Sequence, residues 1–367
     1  MKGSILWGPA LAALLVGCGG QAAGPAPAGS SPAASSSAAP ASAGKPAAPS
    51  AAAAKPAGGS ASAAKPLTKL RFALPINSGL QVLPQVALDA GYFKDEGLDA
   101  SITMIRGSQE VIAALTNGEI DMANSDSPSI INAHLSGANT EMLAVPVSKP
   151  IFELMVPASI TKPEDLKGKT VAVSRICDST CFQVSRALVG WGLKPQQDVK
   201  LLGVQDYTGM FSGLKSGQIA AAALAPPFNF QAKQEGFHSL VDMSKLPVDY
   251  PTAVVQTLKP FTDAHPDTTV AFLRAYVRAI QRYKSDEAFM VATYKKFLKS
   301  NDTQVIQDTW TFYRGLLHDD PTPTADGVKF VLDSLAAGGD KKAASANPNE
   351  FIAPQFMEKV KASGLMK

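Results

Sequence analysis

Two stretches of this chain can be laid on one another, and that internal echo constrains the fold more than any other feature. When residues 111–128 are set against 210–227, Leu115 falls on Leu214, Gly118 on Gly217 and Ile120 on Ile219. Pro128 falls near Pro226 or Pro227. Each stretch reads as the end of a helix, a glycine placed where the helix must stop in a left-handed residue, and a short buried strand. The segments around them repeat the pattern. Leu70–Leu74, Ala100–Ile105 and Ile120–Ala123 read as strands, with helices running through Ala90 and over Ser108–Asn117 between them. Thr170–Ser174, Val199–Gly203 and Ile219–Leu224 read the same way, separated by helices over Thr180–Gly190 and Gly209–Lys215. Strand and helix in alternation specify parallel sheets with right-handed crossovers. Two such units predict two α/β lobes.

The connections predict how the lobes are joined. Glu141–Ala158, interrupted by Pro146 and Pro150, reads as two extended segments that leave one lobe and enter the next. Thr252–Leu258 reads as a second crossing. Helical spacing then dominates, over Pro266–Lys284, Asp286–Lys299, Thr303–Leu317 and Thr324–Ala337, with Asp302 placed to cap the third and Asp263 or His265 leading into the first. If this helical block packs on the first lobe, the chain crosses twice, which makes a hinge with a cleft. The expected division is 67–148 plus 257–367 for lobe 1, and 149–256 for lobe 2.

The first 66 residues belong to neither lobe. Residues 19–66 are almost only Ala, Pro, Ser and Gly, with Lys45, Lys55 and Lys65 spaced through them. Such a stretch lacks the apolar side chains that offset conformational entropy, so it reads as a disordered, semi-flexible spacer. Ahead of it, Lys2 supplies a charged start, Ile5–Val16 a short apolar run, and Leu15-Val16-Gly17-Cys18 a small-residue cleavage site. That is the anatomy of a signal peptide over residues 1–18, and the run is too short to span a bilayer. The cysteine at the cleavage position resembles a bacterial lipobox. The resemblance implies an extracytoplasmic protein lipid-anchored to the cell membrane through Cys18.

Composition narrows the function classes. A net charge of +3, without a basic run interleaved with aromatics, gives no sign of nucleic acid as partner. His134, His238, His265 and His318 are scattered, and none stands at ligand spacing to a cysteine, so no metal site is expected. Beyond Cys18 only Cys177 and Cys181 remain. In an oxidising compartment that pair invites a disulfide across a short loop, although two quiet thiols fit the sequence as well.

Several runs then resemble one family. Gly91–Leu98 (Gly-Tyr-Phe-Lys-Asp-Glu-Gly-Leu), the pattern Ala113, Leu115, Asn117-Gly118-Glu119-Ile120-Asp121, and Pro163–Val173 with its Asp165-Leu166-Lys167-Gly168-Lys169 core resemble solute-binding proteins of ABC importers for sulfonates, nitrate and thiamine pyrimidine precursors. With Pro226-Pro227 the similarity covers most of Leu67 to about Pro260. It implies the two-lobed type II periplasmic-binding-protein fold, α/β, with a hinge and a central ligand cleft.

In that fold the cleft lies where strand ends meet helix starts, whose free N–H groups are ready donors. Four loops fall there: Asn77-Ser78-Gly79, Asn124–Ser127, Arg175–Thr180 and Pro226–Asn229. The expected ligand-binding residues are Asn77, Ser78, Ser125, Asp126, Ser127, Arg175, Ser179, Thr180 and Phe228. Alternatives stay open at several of them. Asn77 and Ser78 suit helix capping, as does Asp126. Arg175 can bind an anion or pair with Asp178, and Phe228 and Tyr207 can each be core or cleft wall. The opposite charges of Asp126 and Arg175 admit a zwitterionic solute.

The expected function is capture of a small polar organic solute, a sulfonate, pyrimidine precursor or similar, by a monomer that delivers it to an ABC permease. No catalytic residue and no cofactor are assigned, because the chain has no Gly-x-Ser-x-Gly and no close His/carboxylate cluster. An enzyme of thiamine-pyrimidine synthesis and an extracytoplasmic sensor domain are the alternatives.

Overall fold

The computed structural model describes residues 66–176 and 178–366. The expected signal peptide, Cys18, the Ala/Pro/Ser/Gly-rich stretch up to residue 65, and Cys177 lie outside the described residues, so neither lipidation nor a Cys177–Cys181 disulfide is tested by it. In chain order the strands are β1 (Thr68–Leu74), β2 (Leu98–Met104), β3 (Met122–Ser125), β4 (Thr140–Val147), β5 (Glu153–Val156), β6 (Thr170–Val173), β7 (Lys200–Gly203), β8 (Ala221–Leu224), β9 (His238–Asp242) and β10 (Ala253–Leu258).

They form two five-stranded sheets of one plan, ordered β2-β1-β3-β10-β4 and β7-β6-β8-β5-β9. In the first, β1 is parallel to both β2 and β3, with Phe72 opposite Ile102 and Met122. In the second, β6 is parallel to β7 and β8, with Val171 opposite Leu201 and Ala221. The fourth strand of each sheet runs antiparallel to its neighbours. The internal echo is structural. Gly118 and Gly217 both take left-handed backbone, at φ 71° and 74°, and Leu115, Leu214, Ile120 and Ile219 are all buried. A residue without a Cβ is needed there to end each helix and turn the chain into the sheet.

Two segments cross between the sheets, 148–152 after β4 and 243–252 before β10. They run side by side: Tyr250 N donates to Ser148 O at 3.1 Å, Thr252 N to Val147 O at 3.1 Å, and Thr252 Oγ1 to Lys149 O. All of β10 lies in the first sheet, so the chain re-enters that lobe at Ala253, ahead of the boundary expected after Gln256. Val254, Val255 and Gln256 are covered on both faces. An unbroken buried run of this kind has no alternation to mark where one lobe gives way to the other.

The helical tail does pack on the first lobe. In helix Pro266–Ser285 the buried positions include Leu273, Tyr276, Val277, Ile280 and Tyr283, a helical repeat that faces the sheet. Phe272 stacks on Phe72 of β1 at 5.3 Å and on Phe93 at 5.5 Å. Asp302 caps helix Thr303–Arg314 by accepting from Val305 N at 3.0 Å. Among the described residues, no helix is long and apolar enough to cross a membrane.

Candidate functional site

A cleft of about 570 Å³ of empty space, its open mouth included, lies between the two sheets. Ser78, Ser125, Asp126, Arg175, Ser179 and Thr180 line it, six of the nine residues expected from sequence. Each stands at a strand end that leads into a helix, where the parallel strands of both sheets deliver their loops to one place.

The remaining three do not line the cleft. Phe228 begins helix Phe228–Gln234 and packs against Tyr207 at 5.7 Å, so it backs the wall rather than forming it. Ser127 is fully buried and its Oγ donates to Pro251 O at 2.7 Å, tying a first-lobe helix to the second crossing segment. Asn77 sits beside the lining with its Oδ1 unpartnered. Ser78 is the N-cap residue of the turn Gly79–Val82 but makes no side-chain cap bond.

Asp126 is a helix cap and also lines the cleft. Its Oδ1 accepts from Ser129 N at 3.0 Å and its Oδ2 from Ser129 Oγ at 2.9 Å, capping helix Ser127–Leu135, while the residue lines the cleft at only 8% exposure. Burial pushes its carboxyl above the usual range, against the hydrogen bonds from Ser108 and Ser129. Asp178 caps helix Ser179–Gly190 in the second lobe. It accepts from Cys181 N at 2.9 Å, Arg175 N at 3.1 Å and Thr180 Oγ1 at 2.6 Å, and from Ser174 Oγ. Burial first, and the nearby charge of Asp126 second, push its carboxyl up to about 6. The Tyr250 hydroxyl shares a 2.7 Å hydrogen bond with Ser179 Oγ and is driven upward by burial and then by Asp126.

Arg175 meets Asp178 only through its backbone N–H. Its guanidinium reaches across the cleft to Glu110 on helix Ser108–Thr116, with Nη2 to Oε1 at 2.6 Å. Arg106 and Asp206 make a second ion pair between the lobes at 3.5 Å. Gly107 makes the approach feasible: it holds φ 105°, and a Cβ there would lie 2.5 Å from Arg175 Nε. The mouth is thus bridged by charge from both sides.

Beyond the four expected loops, and with Tyr207 on the wall side of its two alternatives, two more loops and the crossings themselves reach the cleft. Gly107 and Ser108 after β2, and Gln205 and Tyr207 after β7, line the cleft together with Ile151, Phe152, Thr252 and Ala253 of the crossing segments. The signal was available in Asp206, which caps helix Tyr207–Lys215 through Gly209 N at 2.8 Å and marks a helix start two residues before the expected one. Cys181 is buried in helix Ser179–Gly190, with Sγ 4.0 Å from Ser185 Oγ. Among the described residues no group of three or more His, Cys, Asp or Glu is placed to hold a metal ion.

Two sheets of one plan, joined by paired crossing segments around a loop-lined cleft, are the two-lobed architecture of periplasmic binding proteins. The model of the NMT1/THI5-like family matches residues 84–287, more than half of the chain, and the protein belongs to that family. The taurine-binding periplasmic protein of Escherichia coli K12 is 27% identical over 198 residues, 53% of this chain and 61% of that protein. The match thus spans less than two thirds of that relative's length. Among solved structures, a protein of Bordetella bronchiseptica RB50 is similar with a TM-score of 0.72 and 24% identity, over 81% of this chain and 98% of that one. The alkanesulfonate-binding protein SsuA of Xanthomonas axonopodis pv. citri, bound to MOPS, is similar with a TM-score of 0.63 and 18% identity, over 75% of this chain and 94% of that one.

Proposed function

We propose that this protein is an extracytoplasmic solute receptor: it closes its two lobes on one small polar organic molecule and delivers that molecule to an ABC permease. The observation that carries the reading is the cleft itself, where helix starts from both sheets converge on one polar space spanned by two crossing segments. Relatives named for binding taurine and an alkanesulfonate support a transport role over catalysis. Contacts made to both lobes would favour the closed form, so the ligand drives closure by differential affinity. Within the reading, Cys18 carries a lipid anchor, residues 19–66 form a stalk, and the receptor works as a monomer. Asn77, Ser127 and Phe228 act behind the lining, and Ser78, Ser125, Asp126, Arg175, Ser179 and Thr180 meet the solute.

A thermal-shift screen of sulfonates, pyrimidines and small zwitterions tests the core of it, because a ligand that binds only the folded state raises Tm by mass action. A hit should also reduce the radius of gyration in solution scattering. A screen with no stabilising solute would count against the receptor reading. Equal fatty-acid labelling of wild type and Cys18→Ala would remove the anchor alone.

A further inference from the structure

Helix starts from both lobes face the cleft, and free N–H groups at such starts are the usual seat of a bound anion. In this chain three of those seats are taken by its own carboxylates, while the start of helix Ser108–Thr116 carries no side-chain cap. Asp126 Oδ1 accepts from Ser129 N at 3.0 Å, Asp178 Oδ1 from Cys181 N at 2.9 Å, and Asp206 Oδ1 from Gly209 N at 2.8 Å. Arg175 is the one cationic side chain among the residues that line the cleft, and Glu110 holds it at 2.6 Å. The interior therefore presents fixed negative charge with its cation already engaged.

The two lining aspartates differ in what they have left to offer. Asp178 receives four donors, from Ser174, Arg175, Thr180 and Cys181, which fills the acceptor sites of a carboxylate. Asp126 receives two from Ser129 and has the Ser108 hydroxyl beside it, so its oxygens keep room for another donor. Next to it, Ser125 lines the same cleft at 1% exposure, and its Oγ has no hydrogen-bond partner. A polar atom left unpaired in so buried a place is destabilising, and a ligand donor would relieve that. The rings of Phe152 and Tyr207, 6.3 Å apart, also line the cleft and offer faces that attract a cation.

Resting on the reading of the cleft as a solute site, we propose that the solute carries a protonated amine, bound by the Asp126 carboxylate and Ser125 Oγ. An ammonium group supplies several donors to one buried carboxylate and balances its charge. A simple monoanion meets the opposite: three occupied helix starts, an occupied arginine, and an uncapped start at Ser108 that has the Asp126 carboxyl beside it. Any acidic group on the same solute is directed to the Arg175 side, where it competes with Glu110.

Calorimetry with matched pairs tests this: taurine against isethionate, β-alanine against 3-hydroxypropionate, and putrescine against 1,4-butanediol. Each pair exchanges an amine for a hydroxyl on one carbon frame. At least one amine should bind, tenfold or more tighter than its hydroxyl partner, and Asp126→Asn should abolish that preference. Asp126→Ser, which keeps a capping oxygen, serves if the asparagine variant does not fold; the wild-type comparison depends on neither. A hydroxyl partner that binds as tightly as its amine overturns the inference and leaves the receptor reading standing. An amine preference that survives both variants overturns the assignment to Asp126. If no compound in the panel binds, the amine proposal falls, while the broader thermal-shift screen decides the reading beneath it.

Discussion

Gly79 offers a sharp physical test, because three parts of the molecule meet at it. Its N–H donates to Pro226 O of the second lobe at 3.2 Å, and its carbonyl accepts from Tyr294 Oη of the helical tail at 2.7 Å. Tyr313 Oη donates to the same Pro226 carbonyl at 3.3 Å. A Cβ at residue 79 would stand 2.5 Å from Tyr313 Cε2 and 2.6 Å from Thr309 Cγ2. Ordinary carbon contacts lie at about 3.5–4.0 Å, so each neighbour would have to retreat by about 1 Å. Tyr313 and Thr309 are fully buried, with no open space to retreat into. Overpacking of this kind costs about 1–3 kcal/mol, and two overlaps on rigid neighbours place Gly79→Ala near the upper end. For a unit of this size that is a fall in Tm of about 5 °C. Thr309→Ser removes one of the two clashing atoms. In that background the cost of Gly79→Ala, read from denaturant unfolding, should drop to about half. An unchanged Tm for Gly79→Ala, or an equal cost in both backgrounds, would refute the close-approach argument.

The site makes further predictions. The Asp178 carboxyl, at about 6 when folded, lies above its ordinary value near 3.9, so it contributes stability that is complete below about pH 4 and is lost as pH rises through about 6. Asp126 faces it with like charge, and Arg175, its neighbour in sequence, is turned towards Glu110. Relative to wild type, Asp178→Asn should therefore gain about 2 kcal/mol between pH 4 and pH 7 in denaturant melts; a difference that does not vary with pH would exclude this. Glu110→Gln removes the bridge to Arg175, a partly exposed pair worth about 0.5–1 kcal/mol. The ligand-free variant should show a larger radius of gyration than wild type at low salt, and an identical one would mean the pair does not hold the mouth. Finally, alkylation of exported protein with and without reductant should report Cys177 and Cys181 as bonded, whereas ready labelling of both without reductant removes the disulfide.

Much of the fold was legible because each lobe repeats a short code of strand, helix, stop glycine and strand, within reach of local pattern. What escaped was set by distant partners. β9 (His238–Asp242) is half-buried at every residue and owes its place to pairing with β5, far back in the chain. The entry of β10 into the first sheet was hidden by a buried run with the same character on either side. In the site, Asp126 and the Arg175–Thr180 loop were readable as strand-to-helix junctions. The partner of Arg175 was not, since Glu110 stands 65 positions away and in the other lobe. Phe228 misled for a related reason: an aromatic residue at a helix start marks a wall, but only packing shows that Tyr207 stands in front of it.

The place of β10 also bears on how the molecule must be made. The gap between β3 and β4 is closed by a strand that leaves the biosynthetic machinery only after all of the second lobe has been synthesised. Until then the first sheet carries two open edges, and every residue of β3 and β4 is one that the finished protein buries. Unpaired apolar edges of that kind recruit other chains, and pairings so far apart in sequence form slowly. The second lobe is one continuous insertion and can complete its own sheet without waiting. The order of assembly is therefore reversed relative to the order of synthesis, and a front half kept unfolded until the whole chain is available never exposes those edges.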